Sequence, residues 1–600
     1  MKYRNDIDGL RAIAVLAVIF FHLGFLQNGY LGVDVFFVIS GYLITSIIYK
    51  EVLENRFSIF TFYERRIRRI IPLLLFITLV AFVLGLLFML PDDLENLSQS
   101  VIASNLSANN ILMFITSKDY WNTLNEYKPL MHTWSLGIEE QFYFIFPALI
   151  LIVSKFSKNY IKLLLIFISL FSLLLFLFSE NEASRFYLLQ YRFFELSTGG
   201  LAAVITFDSK KISNSFRFLL YFTLITLVGL MLSPIQSSKI LVLLTTLLSV
   251  LLISLGKFFY IKDKVSNYIL QNKIIVFIGK ISFSLYMWHQ LIFAFTRYVL
   301  LEKINFLQGL LLIIITFILS LFTYYVIENP FRDRKRFATK KVIIILGIVF
   351  FISTTSSLYV YLKGGVIKDF PSLGLYKADA QKQSKLFSSN DNIHIHYNEL
   401  IRNLDKPFEL QNNNHKMKVL VLGNSFGRDV ANIFLESTIR DDIELTYFDI
   451  DRVKNDHSLK QRAEDANLIV IGVVKFISKQ QIVALGLDLN KVMVFGTKDF
   501  GYSNGINYNR MRAISDYSSY YVSMRAGTLA IEQEYEKEWG NQYISLIKPL
   551  LNSSGKIRVF TEDGKFISQD TEHLTKFGAQ FYAKRLNNDL VSILKKHAPH

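Results

Sequence analysis

The chain has 600 residues, of which 52% are hydrophobic, 15% aromatic and only 19% charged, with a mean hydropathy of +0.33. Soluble domains carry about 25% charged residues, so a single soluble enzyme is excluded, as are a disordered chain and a collagen-like chain. The absence of cysteine excludes a disulfide framework, an iron–sulfur cluster and a Cys-ligated zinc site, and leaves the redox compartment undecided.

Apolar blocks about twenty residues long fill residues 1–362, whereas residues 363–600 are of mixed polarity. Eleven spans are expected near 11–27, 31–49, 72–90, 141–154, 161–178, 188–206, 218–232, 240–255, 274–296, 307–327 and 342–362. Most approach the ~20 residues that a bilayer-spanning helix needs. The connecting segments 50–71, 155–162, 207–217, 256–273 and 328–341 hold 22 Lys/Arg against 7 Asp/Glu, while the alternate ones hold 6 against 10. Basic loops stay in the cytoplasm. This places the N-terminus inside and, after eleven crossings, residue 363 onward outside. The net charge of +16 is then a consequence of topology, and no nucleic-acid partner is needed. A cleaved signal peptide is disfavoured, because His22 interrupts the first apolar block and no small-residue cleavage site follows.

Within the first span, Arg11 and His22 are nearly three helical turns apart, so they share one face about 16 Å apart. An ionisable residue within the membrane usually faces a cavity or a partner. His22 suits a general base near neutral pH, and equally a hydrogen bond to a neighbouring helix. Asp34 opens the second span from the outer side, where it is placed to approach His22 and hold its tautomer. Ser40-Gly41 fits close helix packing. Arg65, Arg66, Arg68 and Arg69 form a basic cluster at the inner face before Pro72. The cluster suits a topology anchor or a site for a phosphorylated donor such as a coenzyme A thioester. Further polar islands are His132–Tyr143, which includes Glu139, then Ser282–His289, and Glu328–Arg332. Glu139 and His289 fit a polar cavity or structural hydrogen bonds.

Residues 1 to about 335 resemble the integral-membrane acyltransferase-3 family. The resemblance rests on Ile7-Asp8-Gly9-Leu10-Arg11-Ala12, the Arg11/His22 pair, Gly32 to Leu43, the Arg65/Arg68 and Arg66/Arg69 spacings, Trp134 to Tyr143, and Ser284 to His289. It implies transfer of an acyl group, usually acetyl, from cytoplasmic acyl-CoA toward an acceptor outside the membrane. It also implies that His22 is the essential base, supported by Arg11 and the inner arginines. An eleventh span, within 336–365, then serves to carry a further domain outside, after a linker or extension at 366–415.

Residues 416–600 alternate as an α/β unit. Strands are expected at Lys418–Gly423, Ile443–Ile450, Ala466–Gly472, Lys491–Gly496 and Gly555–Thr561, with helices at Ser425–Leu435, 475–486 and 573–596. That order predicts a doubly wound, mainly parallel sheet with its site at the carboxyl ends of the strands. Ser425 opens a helix there, a position that also suits a mere N-cap. Asp570-Thr571-Glu572-His573 supplies the rest of a triad: Ser425 as nucleophile, His573 as its base and Asp570 as the orienting carboxylate. The second half resembles the SGNH/GDSL hydrolase-like domains fused to many acyltransferase-3 proteins. It departs from them at Gly423-Asn424-Ser425, where Gly-Asp-Ser is commoner. It departs again at Ile471-Gly472-Val473-Val474-Lys475, where a Gly-x-Asn-Asp block is expected. Asn504 is a weak substitute for the missing oxyanion asparagine.

The expected protein is therefore a polytopic α-helical membrane domain with ten plus one transmembrane helices, followed by an extracytoplasmic SGNH-like α/β domain, in a bacterial cytoplasmic membrane. Acetyl-CoA is the expected donor substrate, with no bound cofactor and no metal. The expected acceptor is an envelope glycan, first lipopolysaccharide O-antigen and second peptidoglycan. A membrane-tethered esterase and a transporter are the rival classes.

Overall fold

The computed structural model describes residues 3–116, 126–205, 215–234, 238–259, 269–299, 304–378, 395–409, 416–452, 458–473, 475–501, 516–568 and 571–597. These fall into two compact units, one built of Met1–Phe88 and Leu94–Tyr361, the other of Met89–Asp93 and most of residues 362–600.

The first unit is helical, and each of the eleven apolar spans coincides with helix. Among the described residues, seven helices are long and apolar enough to cross a membrane. An eighth is added if Lys273–Lys280 and Ser282–Val299, bent by 66°, make one span. The count thus falls below the eleven expected, and the reason is chemical. Asn5–His22 carries Asp6, Asp8 and Arg11. Leu189–Val204 has 16 residues and buries Arg192 and Glu195. Phe218–Leu232 is apolar but short.

Polarity in this unit is inverted relative to a soluble bundle. Along Tyr160–Phe178 the buried residues include Ser169 and Ser172, while Phe167, Phe171 and Leu174 are exposed. Ser169 donates to Ser197 Oγ at 2.7 Å, and Ser172 donates to the carbonyl of Gln190 at 2.7 Å. Lipid offers no hydrogen bonds, so hydroxyls turn inward and large apolar side chains turn outward. Gly32–Leu53 and Leu189–Val204 cross with almost no space between backbones: a Cβ at Gly41 would lie 1.8 Å from the carbonyl oxygen of Leu196, and one at Gly199 2.1 Å from that of Val38. Gly41 is thus a packing residue. Ser40, beside it, serves a different purpose described below.

The second unit contains strands β1 (Met417–Gly423), β2 (Ile443–Asp449), β3 (Leu468–Gly472), β4 (Val492–Phe495), β5 (Tyr521–Val522), β6 (Tyr543–Ile544) and β7 (Ile557–Arg558). The main sheet is parallel, in the order β2-β1-β3-β4-β6. Period-two alternation along β1 splits the core. Val419 and Val421 pack with Val430, Ile433 and Phe581 on one face. Leu420 and Leu422 pack with Leu459, Ile482 and Trp539 on the other. The sheet is therefore covered on both faces, as a doubly wound fold requires. Two expectations fail here. The late strand near 557 pairs antiparallel with β5 in a separate sheet, and the fifth position of the main sheet is taken by β6, a two-residue strand with too little pattern to read. The terminal helix is two helices, Lys576–Arg585 and Asn587–His597, and begins after His573.

Because the atoms nearest a Cβ at position 41 are backbone, Gly41→Leu is expected to destabilise the helical unit by about 3 kcal/mol or more. A thermal-unfolding scan of the full chain in detergent, beside a Leu174→Ala control on the exposed face, checks this.

Candidate active site

Helix Asn5–His22 is continuous, so Arg11 and His22 lie along one rod. At the Arg11 end is a cavity lined by Arg11, Arg66, Arg69, Ser40, Glu139 and Tyr143 among others. Glu139 is held by two donors, Ser40 Oγ at 3.0 Å and Tyr143 Oη at 2.8 Å, in a cavity whose other charged lining residues are Arg11, Arg66 and Arg69.

The four arginines of Ile59–Phe88 divide by helical face. Arg66 and Arg69 line the cavity, and Nε of Arg66 has no hydrogen-bond partner among the described residues. Arg65 and Arg68 do not face it. Arg65 is bonded to both carboxylate oxygens of Glu51 at 3.0 and 3.1 Å. Arg68 is buried and donates to Glu64 at 2.9 Å, to the carbonyl of Phe331 at 3.1 Å and to Thr339 at 3.1 Å. Those donors are used within the protein, so of the four arginines Arg66 and Arg69 line the cavity, with Arg11. Glu328, on a π-helical turn at Tyr324–Glu328, is buried and bonded by Ser284 and Arg332.

Away from the arginines, the cavity wall includes Ser135 and Tyr286. Their hydroxyl oxygens are 2.7 Å apart, and Tyr286 Oη donates to the carbonyl of His132 at 2.8 Å. Three imidazoles gather behind Tyr286. The ring centroid of His289 lies 5.0 Å from that of His22 and 5.4 Å from that of His132. Nδ1 of His22 is 3.1 Å from Nε2 of His289, and Nε2 of His22 has no partner among the described residues. Asp34 is not the group beside His22. It accepts from Nη1 of Arg192 at 2.7 Å, which also donates to Glu195 at 2.8 Å. An arginine on an adjacent helix wins the carboxylate, since a buried charge is stabilised by its opposite. Sequence reasoning missed the grouping of His132 with His289, because only the fold brings together residues so distant in the chain.

In the second unit Gly423 of β1 pairs with Gly472 of β3. The chain leaves β1 toward β2 on one side and β3 lies on the other, so Ser425 stands at the switch point, at the carboxyl end of the sheet. The turn is tight: a Cβ at Gly472 would meet the Cα of Gly427 at 2.9 Å. Asn424, not Ser425, caps the helix Ser425–Leu435, accepting from the amide of Phe426 at 3.0 Å. The bare capping explanation of Ser425 is thereby removed. Asn398 donates to the carbonyl of Ser425 at 2.8 Å and to Asp429 at 2.6 Å, and the buried Lys498 pairs with Asp429. Tyr447 donates to the carbonyl of Gly423 at 2.7 Å. Burial pushes its hydroxyl above the usual tyrosine range, so it remains a donor.

His573 is half-buried just before helix Lys576–Arg585, whose cap is Thr575. Thr571 has φ +71°, a left-handed conformation costing a β-branched residue about 1–3 kcal/mol. Such strain two residues before His573 marks a segment held in place by its surroundings. Nearby, the buried Asp499 accepts from the amide of Arg525 at 2.7 Å, from its Nε at 3.2 Å and from Thr528 at 2.7 Å. Asp570 and Asn504 lie outside the described residues. After β3 no asparagine precedes Lys475.

A polytopic helical unit with arginines in a cavity wall and a buried histidine cluster, followed in the chain by a doubly wound α/β unit, describes a membrane protein with an appended α/β domain. A family model described as an acyltransferase domain matches residues 4–329, and the chain belongs to the acyltransferase-3 family. It is similar to the peptidoglycan O-acetyltransferase OatA of Listeria monocytogenes serovar 1/2a, 32% identical over 353 residues covering 55% of this chain and 56% of that protein. The O-acetyltransferase OatA of Staphylococcus aureus (strain NCTC 8325) is 32% identical over 355 residues, covering 56% and 58%. The match thus spans little more than half the length of either relative. The solved periplasmic domain of a lipopolysaccharide acetyltransferase from Salmonella ser. Paratyphi A is 16% identical, with a TM-score of 0.25, covering 33% of this chain and 95% of that one.

Asn424→Ala is expected to cost about 1 kcal/mol and to speed hydrogen exchange of the first-turn amides of helix Ser425–Leu435. Ser425→Ala should leave those rates unchanged. Hydrogen-exchange mass spectrometry on the full chain distinguishes them.

Proposed function

We propose that this protein transfers an acetyl group from cytoplasmic acetyl-CoA to a hydroxyl of a cell-envelope glycan on the far side of the membrane. The observation that carries the reading is the single rod Asn5–His22, with Arg11 at a cavity shared with Arg66 and Arg69, and at its other end His22 with an unpartnered Nε2. Three guanidinium groups suit the phosphates of coenzyme A, to which they bind by charge-assisted hydrogen bonds. His22 takes the proton of the attacking hydroxyl, the new C–O bond forms at the thioester carbonyl carbon, and the C–S bond breaks to release the thiolate.

In the second stage that ester, on a carrier hydroxyl, is the donor: Ser425 Oγ attacks its carbonyl carbon, the carrier C–O bond breaks to release the carrier alcohol, and the acceptor hydroxyl then displaces Ser425 from its acetyl ester. His573, oriented by Asp570, removes the serine proton and later that of the acceptor hydroxyl. The loop-charge asymmetry supports an inside N-terminus and eleven crossings, with boundaries at 1–335, 336–365, 366–415 and 416–600. Peptidoglycan is the favoured acceptor over O-antigen, because that substrate is in the name of a relative 32% identical to this chain, while the lipopolysaccharide likeness is too slight to weigh.

The test is mass spectrometry of muropeptides and of lipopolysaccharide from cells with and without the protein, and with His22→Ala or Ser425→Ala. Both variants are expected to lose glycan acetylation by at least about 10²-fold. Normal acetylation in His22→Ala marks a tethered esterase or a transporter. Excess acetylation in Ser425→Ala marks a domain that removes groups. Acetyl groups lost only from O-antigen reassign the acceptor. Separately, Arg66→Ala and Arg69→Ala are expected to raise KM for acetyl-CoA about tenfold, whereas Arg65→Ala, whose partner is Glu51, changes it less than about threefold. Initial rates of the purified full chain in detergent check this.

A further inference from the structure

The ring nitrogens around His22 can be accounted for one proton at a time. Nδ1 of His289 lies 2.6 Å from the carbonyl oxygen of Tyr286. A carbonyl only accepts, so this nitrogen carries the proton, and the neutral ring presents Nε2 as an acceptor. That Nε2 is 3.1 Å from Nδ1 of His22, which therefore donates. Nδ1 of His22 also lies 3.1 Å from the carbonyl of Val18, again an acceptor and never a donor. The remaining nitrogen of His22, Nε2, keeps its lone pair, is buried and has no partner among the described residues. A doubly protonated ring would leave a buried N–H unsatisfied there, which costs free energy.

We propose that His289 is a positioning residue that holds His22 in the Nδ1–H tautomer, so that Nε2 faces the attacking hydroxyl as a proton acceptor. This rests on the reading of His22 as the base. The carbonyl of Val18 shares the same N–H on its second lone pair. His289 supplies the dedicated acceptor. Its own tautomer is set by the carbonyl of Tyr286, a residue whose hydroxyl is tied to Ser135 in the cavity wall and to the carbonyl of His132. The relay thus runs from the cavity wall through Tyr286 and His289 to His22. Helix Ser282–Val299, set at 66° to the helix before it, carries both Tyr286 and His289 in one turn.

The test uses the full chain in lipid nanodiscs, with His289→Leu, His289→Gln and His289→Asn. Glutamine places an amide oxygen near the position of Nε2, asparagine near that of Nδ1, and leucine offers no acceptor. His289→Leu and His289→Asn are expected to lower kcat about 10²-fold, with KM for acetyl-CoA within about threefold of wild type. His289→Gln should recover at least about tenfold of that loss. Independently, ¹⁵N-histidine NMR, with the His22 signals assigned by subtracting the spectrum of His22→Gln, should show a protonated Nδ1 and a bare Nε2, moving toward Nε2–H in His289→Leu. A bare Nδ1 in the wild type overturns the proposal, as does an unchanged kcat in His289→Leu or equal loss in all three variants. Should the leucine variant not fold, the glutamine and asparagine pair decides the matter. Full activity in His22→Gln overturns the base reading instead, while the tautomer is still read from the wild-type spectrum.

Discussion

An imidazole buried among helices costs free energy unless the protein supplies its hydrogen-bond partners, and the treatment of His22 shows how the membrane unit meets that demand. One nitrogen is bonded, and the other is buried with no partner among the described residues. The unit meets the same demand elsewhere by turning polar groups inward. Ser40 and Tyr143 hold Glu139, Ser284 and Arg332 hold Glu328, and Arg192 holds Asp34 and Glu195. Where every donor has found an acceptor the contact joins helices. Arg66 Nε and His22 Nε2 are among the buried polar atoms that have no partner among the described residues, and these two belong to the groups the proposed reaction uses.

The α/β unit obeys the opposite solvent logic and arrives at a comparable arrangement. Its sheet is covered on both faces by helices and their apolar side chains, so the polar working surface is confined to the strand ends. Gly423 and Gly472 let the chain turn tightly after β1, and Asn424 relieves Ser425 of the capping role. The network of Asn398, Asp429 and Lys498 then pins the first turns of the helix that follows Ser425. The hydroxyl of Ser425 is thus not needed to cap its own helix.

The amino-acid sequence by itself determined the elements with strong periodicity: the apolar spans, the parallel strands 417–423, 443–449, 468–472 and 492–495 to within a residue or two, and the separation of Arg11 from His22 along one helix. These depend on local hydrophobic pattern and helical rise, which neighbouring residues alone decide. The families suggested by its motifs follow from the same short strings, and the membrane family match bears out the first. Tertiary structure alone decided which polar groups meet. Asp34 faces Arg192 and not His22, two arginines of four face the cavity, and His289 reaches His22 across 267 positions of chain. It also decided that the two-residue strand Tyr543–Ile544 completes the sheet. Periodicity says which face of a helix or strand is buried, but not what stands opposite it. A hydrogen bond depends on the element opposite, and that partner is chosen only when the whole chain packs.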